Sequence, residues 1–198
     1  MIYLVRHGQT EFNREGRFQG GRDSPLTPVG EAQADAFGRL LAGLTGAATP
    51  IVCSPLGRTR ATAERLRAAG GFTSEIVLDP RLAEIGMGAW DGLTWPEIVA
   101  LRPPFDVEAA PRDWFMRSPD GETYDEFAAR LADWIYDYSD RPGPVIAVSH
   151  GISGKVLRGL YAGVDKEAGL SEHSPQDAIF RLHDGRIDRF ECAAEAQP

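Results

Sequence analysis

Short apolar runs of β-type residues alternate along this chain with longer stretches of helical periodicity, and this alternation is the strongest restriction on its fold. Residues 2–5 and 145–148 are continuous apolar runs, as expected for strands buried on both faces of a sheet. Between such runs, apolar residues recur at helical spacing, as at Phe37, Leu40, Leu41 and Leu44. We therefore expect an α/β fold, a three-layer sandwich with a mainly parallel central sheet and helices on both faces.

The remaining strands follow from weaker local signals. Residues 50–53 form a second buried run, and residues 75–78 form a less apolar third one. At the end of the chain, residues 178–182 and 187–190 are joined through Asp184-Gly185, which predicts a terminal hairpin.

Helix starts and one change of composition divide the chain further. Capping residues or capping boxes mark four helix starts, at Thr27-Pro28, at Ser54-Pro55, at Thr94 with Glu97, and at Thr123 with Glu126. Residues 94–120 are rich in Trp, Pro, Phe and Arg, and we interpret them as a small lid. The lid would be inserted into a single domain that spans residues 1–198, a length typical of one core.

Charge and cysteine content exclude several classes of function. The chain has a net charge of −8 and no basic run interleaved with aromatic residues, so we expect no nucleic-acid partner. Cys53 and Cys192 lack a metal-type spacing, which predicts no metal site and a reducing compartment. The apolar stretch at the N-terminus is too short for a signal peptide, and no later run approaches the ~20 residues of a membrane span. We expect a cytoplasmic protein without membrane contact.

Four side chains suited to binding an anion lie where predicted strands end. Arg6 and His7 follow the first strand, Arg58 lies in the first turns after the second, and His150 follows the strand at residues 145–148. Ligands of parallel sheets bind outside the carboxyl ends of the strands, so these side chains should converge. Guanidinium groups match phosphate oxygens, and a neutral imidazole is a nucleophile near pH 7. The pattern predicts a site for the phosphoryl group of a small phosphate monoester.

An alcohol leaving group also needs a proton, and Glu84 is the best candidate for a general acid. It lies in a glycine-containing loop that should approach the same strand ends. Asp91 and Glu97 are alternative carboxyl groups. Structural roles are open for other residues too: His150 could cap the following helix, and Arg58 could belong to a solvated basic face with Arg60, Arg65 and Arg67.

Three motifs in chain order resemble the histidine phosphatase superfamily, in its phosphoglycerate mutase-like branch. They are LVRHGQTEFN at residues 4–13, CSPLGRTRATA at residues 53–63, and VSHG at residues 148–151. The resemblance covers most of the chain and implies a phosphohistidine mechanism that uses no metal and no cofactor. It implies His7 as the phosphorylated nucleophile, with the phosphoryl oxygens held by Arg6, Arg58 and His150.

The same resemblance assigns further residues. Glu84 matches the family's proton donor, and Asn13, Gln19 and Gly20 match positions that line the phosphate pocket in relatives. The loop at residues 174–177 departs from the pattern, because many relatives have an asparagine there and this chain reads Ser-Pro-Gln-Asp. Contacts from this loop to a substrate are therefore left open.

Residues 18–27 and 84–92 resemble the short phosphatase members, which favours hydrolysis of a small phosphorylated metabolite. The alternative is a phosphoglycerate mutase, which must retain a bisphosphorylated intermediate through extra cationic contacts. The predicted lid offers only Arg102, Arg112 and Arg117 for that purpose. A third alternative is a non-catalytic module that binds phosphorylated ligands. An apolar strip on the terminal hairpin, expected to be exposed, is compatible with a homodimer.

Overall fold

Six strands form one sheet at the centre of the molecule. The computed structural model describes residues 1–192. The strands are β1 (Ile2–Arg6), β2 (Ile51–Cys53), β3 (Ile76–Leu78), β4 (Val145–Ser149), β5 (Ala178–His183) and β6 (Arg186–Glu191). Their order is β3-β2-β4-β1-β5-β6, with β1 to β4 parallel to one another, β5 antiparallel to β1, and β6 antiparallel to β5. The predicted mainly parallel sheet is confirmed.

Helices cover both faces of this sheet. They are α1 (Glu11–Arg14), α2 (Pro28–Leu44), α3 (Gly57–Gly70), α4 (Trp95–Ala100), α5 (Tyr124–Ser139), α6 (Gly151–Ala162) and α7 (Lys166–Ser171). Three of the four predicted starts are confirmed, because Thr27, Thr94 and Thr123 occupy the N-cap positions of α2, α4 and α5. Among the helices of residues 1–192, none combines the length and the apolar character that crossing a bilayer requires.

The predicted start of α3 at Ser54-Pro55 is wrong. The helix begins at Gly57, with Leu56 at the N-cap position. The backbone N–H of Ser54 donates to Val148 O at 3.0 Å, so Ser54 continues the pairing of β2 with β4. Pairing with a distant strand has here overridden a local capping signal.

Side chains of β1 alternate between two hydrophobic cores. Ile2 and Leu4 pack with α5 and α6 on one face of the sheet. Tyr3 and Val5 pack with α2 and α3 on the other face. Successive side chains of a strand point to opposite faces, so a strand with a core on each side must be apolar throughout. This arrangement confirms the three-layer sandwich.

The terminal hairpin does not expose the expected apolar strip. Phe180 and Ile187 pack against the core on the α5 and α6 side, and Phe190 packs against the opposite core. The Arg158 guanidinium lies over the Phe180 ring, with its Cζ 3.9 Å from the ring centroid. These side chains are therefore half-buried, and the homodimer stays a prediction.

The register between β1 and β4 places the two predicted histidines side by side. Arg6 pairs with Ser149, so the next residues along the two strands are His7 and His150. The backbone N–H of His7 donates to Ser149 O at 3.0 Å and extends the pairing to the residue itself. Both histidines therefore leave the same edge of the sheet at neighbouring positions.

Close packing of two glycines fixes the loop that follows β1. A Cβ atom at Gly30, in the first turn of α2, would lie 2.0 Å from Gln9 O. A Cβ atom at Gly8 would lie 2.2 Å from Gly30 O. The start of α2 therefore rests directly on the backbone next to His7, at a distance that only glycine allows.

We expect Gly30→Ala to lower the free energy of unfolding by roughly 2 kcal/mol, because the added methyl group displaces backbone. Gly43 is the matched control in the same helix, since nothing lies within 4 Å of a Cβ there. Gly43→Ala should raise stability by about 0.5 kcal/mol. Urea unfolding measures both values, and equal effects of the two substitutions would contradict this packing.

Candidate functional site

His7 presents an unprotonated ring nitrogen. The His7 and His150 rings lie edge to face, with centroids 5.3 Å apart, and their residues are only 3% and 1% exposed. His7 Nδ1 lies 2.8 Å from Gly8 O. A carbonyl oxygen can only accept a hydrogen bond, so Nδ1 carries the proton in the neutral ring. The lone pair is therefore on Nε2.

In His150 the ring nitrogen with a hydrogen-bond partner is Nε2, whereas in His7 it is Nδ1. Its Nε2 lies 2.8 Å from Ser54 Oγ, and the same oxygen accepts from the N–H of Leu56 at 3.4 Å. Since this oxygen already accepts from Leu56, we assign the hydroxyl proton of Ser54 to the bond with Nε2, and in this tautomer the ring proton is on Nδ1. This Nδ1 is buried and has no hydrogen-bond partner within residues 1–192. His150 occupies the N-cap position of α6 but makes no side-chain capping bond, so the capping alternative is wrong.

Both imidazoles are held neutral. Burial is the largest cause that lowers the pKa of His7 well below its ordinary value, and the charges of Arg58 and Arg6 lower it further. The hydrogen bond to Gly8 O acts in the opposite direction. Burial, and then Arg58, also lower the pKa of His150. Nearby cations disfavour a second positive charge, so the unprotonated Nε2 of His7 is maintained.

Arg58 is anchored by its outer nitrogens. Its Nη1 donates to Asp23 Oδ1 at 2.8 Å and to Arg22 O at 2.9 Å, and its Nη2 donates to Gly20 O at 2.9 Å. Asp23 also accepts from the backbone N–H of Gly57 and Arg58. Arg58 therefore belongs to a buried network, and the alternative of a solvated basic face is wrong for this residue.

Among the described residues, three buried nitrogens around His7 have no hydrogen-bond partner. They are Arg6 Nε, Arg58 Nε and His150 Nδ1. Two more such atoms occur in the described part of the chain, Trp134 Nε1 and Ser139 Oγ, both on α5. An unsatisfied buried donor costs roughly 1–3 kcal/mol, so three at one place indicate a bound group that is an acceptor. Two guanidinium groups and an imidazole N–H would satisfy an anion.

Glu84 is buried and is bound by the first turn of α6. Its Oε1 accepts from the N–H and the hydroxyl of Ser153, each at 2.9 Å, and from the N–H of Ile85 at 3.2 Å. Within residues 1–192, its Oε2 accepts only from Ile152 N, at 2.9 Å. Oε2 therefore keeps the free lone pair at which a proton can be carried.

The two rival carboxylates have structural partners. Asp91 accepts from Gly20 N and Arg22 N, each at 2.8 Å. Glu97 accepts from Thr94 N at 2.7 Å and from Arg17 Nη1 at 2.9 Å. Neither lines the cavity described next, whereas Glu84 does.

Arg130 of α5 fixes the loop that carries Glu84. Its guanidinium donates to the carbonyl oxygens of Arg81, Ala83 and Glu84 at 2.7, 2.8 and 3.1 Å. Two more bonds, of 2.7 and 2.9 Å, bind it to the Glu122 carboxylate. This clamp, which the sequence did not indicate, holds the position of Glu84 relative to α6.

A cavity of about 450 Å³ opens at the carboxyl ends of β1 and β4. It is lined by five of the predicted residues, Arg6, His7, Asn13, Gln19 and Glu84. Arg58 and His150 do not line it, because both are fully buried beside His7. Within residues 1–192, no three His, Cys, Asp or Glu residues are grouped closely enough to hold a metal ion.

Gly20 does not have a free amide for a phosphate. Its N–H donates to Asp91 Oδ1, its carbonyl accepts from Arg58, and it does not line the cavity. Its predicted role as a phosphate ligand is therefore wrong, and its contact with Arg58 is a positioning one. Gln19 lines the cavity, but its amide bonds to Thr10 Oγ1 at 2.6 Å and to Ser24 Oγ at 3.3 Å.

The loop at residues 174–177 contacts the site. Gln176 Nε2 donates to Asn13 Oδ1 at 2.9 Å and to His7 O at 3.2 Å. Ser174 O accepts from Arg6 Nη1, and Ser174 also lines the cavity. No local pattern marks these two residues, because the contacts depend on the hairpin β5-β6 lying beside β1.

Comparison with known proteins identifies the family of this chain. The model of the histidine phosphatase superfamily (branch 1) matches residues 2–186. This span is most of the chain, and it contains both histidines, Arg58 and Glu84. The chain therefore belongs to the histidine phosphatase superfamily.

Individual relatives carry different names. The chain is 35% identical over 169 residues to "Probable phosphoglycerate mutase GpmB" of Photorhabdus laumondii, which covers 84% of this chain and 77% of the relative. Among solved structures, it is similar to Bacillus stearothermophilus YhfR, with a TM-score of 0.79 and 30% identity over 98% and 95% of the two chains. A mycobacterial glucosyl-3-phosphoglycerate phosphatase in complex with VO3 has a TM-score of 0.76 and 27% identity, over 96% and 97% of the two chains.

In ¹⁵N NMR spectra recorded in phosphate-free buffer near pH 6, where an ordinary histidine is mostly protonated, we expect His7 and His150 to remain neutral. Each ring should carry its proton on Nδ1. The variants His7→Gln and His150→Gln assign the signals, and the exposed His173 provides an internal comparison. Protonation of either ring at or above pH 6.5, or a proton on Nε2, would contradict the geometry.

Proposed function

We propose that this protein is a metal-independent phosphomonoesterase that hydrolyses a small phosphorylated metabolite through a phosphohistidine on His7. The observation that carries the proposal is the set of three buried, unpartnered nitrogens of Arg6, Arg58 and His150 around an imidazole that is held neutral. Donors in this arrangement suit three equatorial phosphoryl oxygens, and the lone pair of His7 suits attack on phosphorus.

In the first step, His7 Nε2 forms a bond to phosphorus while the bond from phosphorus to the alcohol oxygen breaks. The leaving oxygen takes a proton from Glu84 Oε2, so a neutral alcohol departs. In the second step, water attacks the phosphohistidine, the phosphorus–nitrogen bond breaks, and Glu84 accepts a proton from the water. Inorganic phosphate leaves, and His7 and Glu84 return to their initial states.

The surrounding charges would act mainly on the transition state. Negative charge spreads over the phosphoryl oxygens as the bonds exchange, and fixed donors stabilise it without having to reorganise. Arg58 is fixed by its contacts with Asp23 and Gly20, and the carboxylate of Glu84 is fixed by α6. In this proposal the segment at residues 94–120 covers the cavity, since it supplies Arg112, Trp114 and Phe115 to the lining.

Hydrolysis is favoured by the short phosphatase-like stretches of the sequence and by the likeness to the mycobacterial phosphatase. A phosphoglycerate mutase is the second candidate, because the curated relatives carry that name. The further cations of the cavity are not the ones that the sequence indicated. Arg112 lines it, whereas Arg102 and Arg117 do not, and Arg17 and Lys155 are added from outside the segment at residues 94–120.

Turnover of p-nitrophenyl phosphate, stopped rapidly in alkali, should leave one phosphoryl group on the peptide that contains His7. A phosphohistidine is stable in base and labile in acid, so the label should disappear after acid treatment. His7→Ala should abolish the label and lower kcat by roughly 10³-fold or more, because the nucleophile is lost. His173→Ala is the matched control, since this exposed histidine lies outside the cavity.

A chelator in the assay should leave the rate unchanged. With 3-phosphoglycerate as substrate, free phosphate indicates hydrolysis and relocation of the phosphate indicates a mutase.

Absence of the label in the wild-type protein, or full activity of His7→Ala, would overturn the proposal. Loss of turnover in the chelator would overturn its metal independence, and binding without any turnover would favour the non-catalytic alternative.

A further inference from the structure

The loop between α7 and β5 is held in place on both sides of Gln176. On one side, Ser174 O accepts a hydrogen bond from Arg6 Nη1. On the other side, Asp177 O accepts from the N–H of Cys192 at 2.7 Å, which fixes the start of β5. The half-buried side chain of Gln176 therefore leaves the backbone at a fixed position beside the candidate site.

The side-chain amide of Gln176 has a defined orientation. Its nitrogen, Nε2, lies 3.2 Å from His7 O and 2.9 Å from Asn13 Oδ1. A backbone carbonyl can only accept a hydrogen bond, so the end of the amide that faces His7 O is the NH2 group. This group has two hydrogens, one for each acceptor. Both donors of Gln176 are therefore used inside the protein, and Gln176 does not line the cavity.

Two donors determine the orientation of the Asn13 amide in turn. Asn13 lies in α1, and its Oδ1 accepts from the N–H of Thr10, the N-cap residue of that helix, at 3.2 Å. The shorter bond, from Gln176, reaches the same oxygen. Within residues 1–192, the hydrogen bonds of the Asn13 side chain are both at Oδ1, so the two N–H groups of Nδ2 are left for a ligand.

This orientation decides what Asn13 presents to the cavity, which it lines together with Arg6 and His7. The two ends of a side-chain amide are similar in shape but opposite in hydrogen bonding. Because Oδ1 is bound by Gln176 and Thr10, the end left for the cavity is a donor, which suits a phosphoryl oxygen. In the reversed orientation, the amide would present an acceptor to that oxygen and would repel it.

We propose that Gln176 is a positioning residue that holds the amide of Asn13 with Nδ2 towards the phosphoryl site, so that Asn13 donates to a phosphoryl oxygen. Gln176 acts through Asn13 and does not touch the ligand itself. The bond from Asn13 adds a neutral donor to those of the two arginines and His150. Position 176 lies outside the three sequence motifs. This inference rests on the proposed function in one respect, because it takes the phosphoryl group to be bound beside His7.

Binding of inorganic phosphate, measured by isothermal titration calorimetry, tests this role without requiring turnover. Gln176→Met keeps the length of the side chain and removes its donors, so the Asn13 amide is free to turn. We expect the dissociation constant to rise about tenfold, which corresponds to the loss of one hydrogen bond to a charged group. Asn13→Ala should raise it by a similar factor. In the Asn13→Ala background, Gln176→Met should change it less than about twofold, because no amide is left to orient.

The side-chain amide signals in ¹H–¹⁵N NMR spectra give a second readout, which a merely structural role of Gln176 would not change. In the wild-type protein, the NH2 signal of Asn13 should shift when phosphate binds, and Asn13→Ala assigns this signal by its absence. In Gln176→Met, the shift at saturating phosphate should be much smaller, because the amide then populates both orientations. His173→Ala is the matched control for both measurements, since this exposed side chain belongs to the same loop and lies outside the cavity.

The possible outcomes separate this inference from the proposed function. If Gln176→Met leaves the dissociation constant unchanged, or raises it equally with and without Asn13, the inference is overturned, because no effect passes through Asn13. An Asn13 signal that does not respond to bound phosphate in the wild-type protein overturns it as well. If both measurements agree with the expectation but p-nitrophenyl phosphate is not turned over, the inference stands and the proposed function fails. Thermal unfolding of each variant checks that it is folded.

Discussion

The parallel pairing of β1 with β4 is the constraint on which the site depends. Its register puts His7 and His150 at adjacent positions, and the bond from His7 N to Ser149 O continues the pairing to the first of them. A shift of one residue in either strand would turn its side chains to the other face and would exchange the two cores. The apolar residues that fix the sheet therefore also fix the distance between the two imidazoles.

The second constraint is electrostatic. Arg6 and Arg58 are placed beside two buried imidazoles, although burial disfavours every charge there. Asp23 and two carbonyl oxygens hold Arg58, while Arg58 Nε, Arg6 Nε and His150 Nδ1 have no hydrogen-bond partner among the described residues. In a region of low dielectric, unpartnered donors of this kind interact strongly with an anion and poorly with a neutral ligand. Burial is the largest cause that lowers the pKa of His7, and the same cations lower it further, so the groups that bind an anion also favour the nucleophilic form of His7.

Much of the fold and of the site could be predicted from the sequence. Continuous apolar runs identify buried strands, and the residue that follows each strand, such as His7 or His150, lies at the carboxyl end of the sheet. The predictions that are wrong concern residues whose contacts come from distant segments of the chain. The local sequence predicts Ser54 as a helix cap, and this is wrong because the pairing of Ser54 with β4 is not a local property. The resemblance places Gly20 in the phosphate pocket, but Asp91, far along the chain, takes its N–H. Lys155 lines the cavity, and its spacing of four residues from Gly151, on a helix that starts at the site, could have indicated this.

A crystal structure of the protein with orthovanadate is the most direct measurement of the central claim, since vanadate adopts the geometry of a phosphoryl group in transfer. Vanadium should lie in line with His7 Nε2, and its oxygens should accept from Arg6 Nε, Arg58 Nε and His150 Nδ1. Vanadate bound elsewhere in the cavity, with these three nitrogens still without partners, would contradict the account.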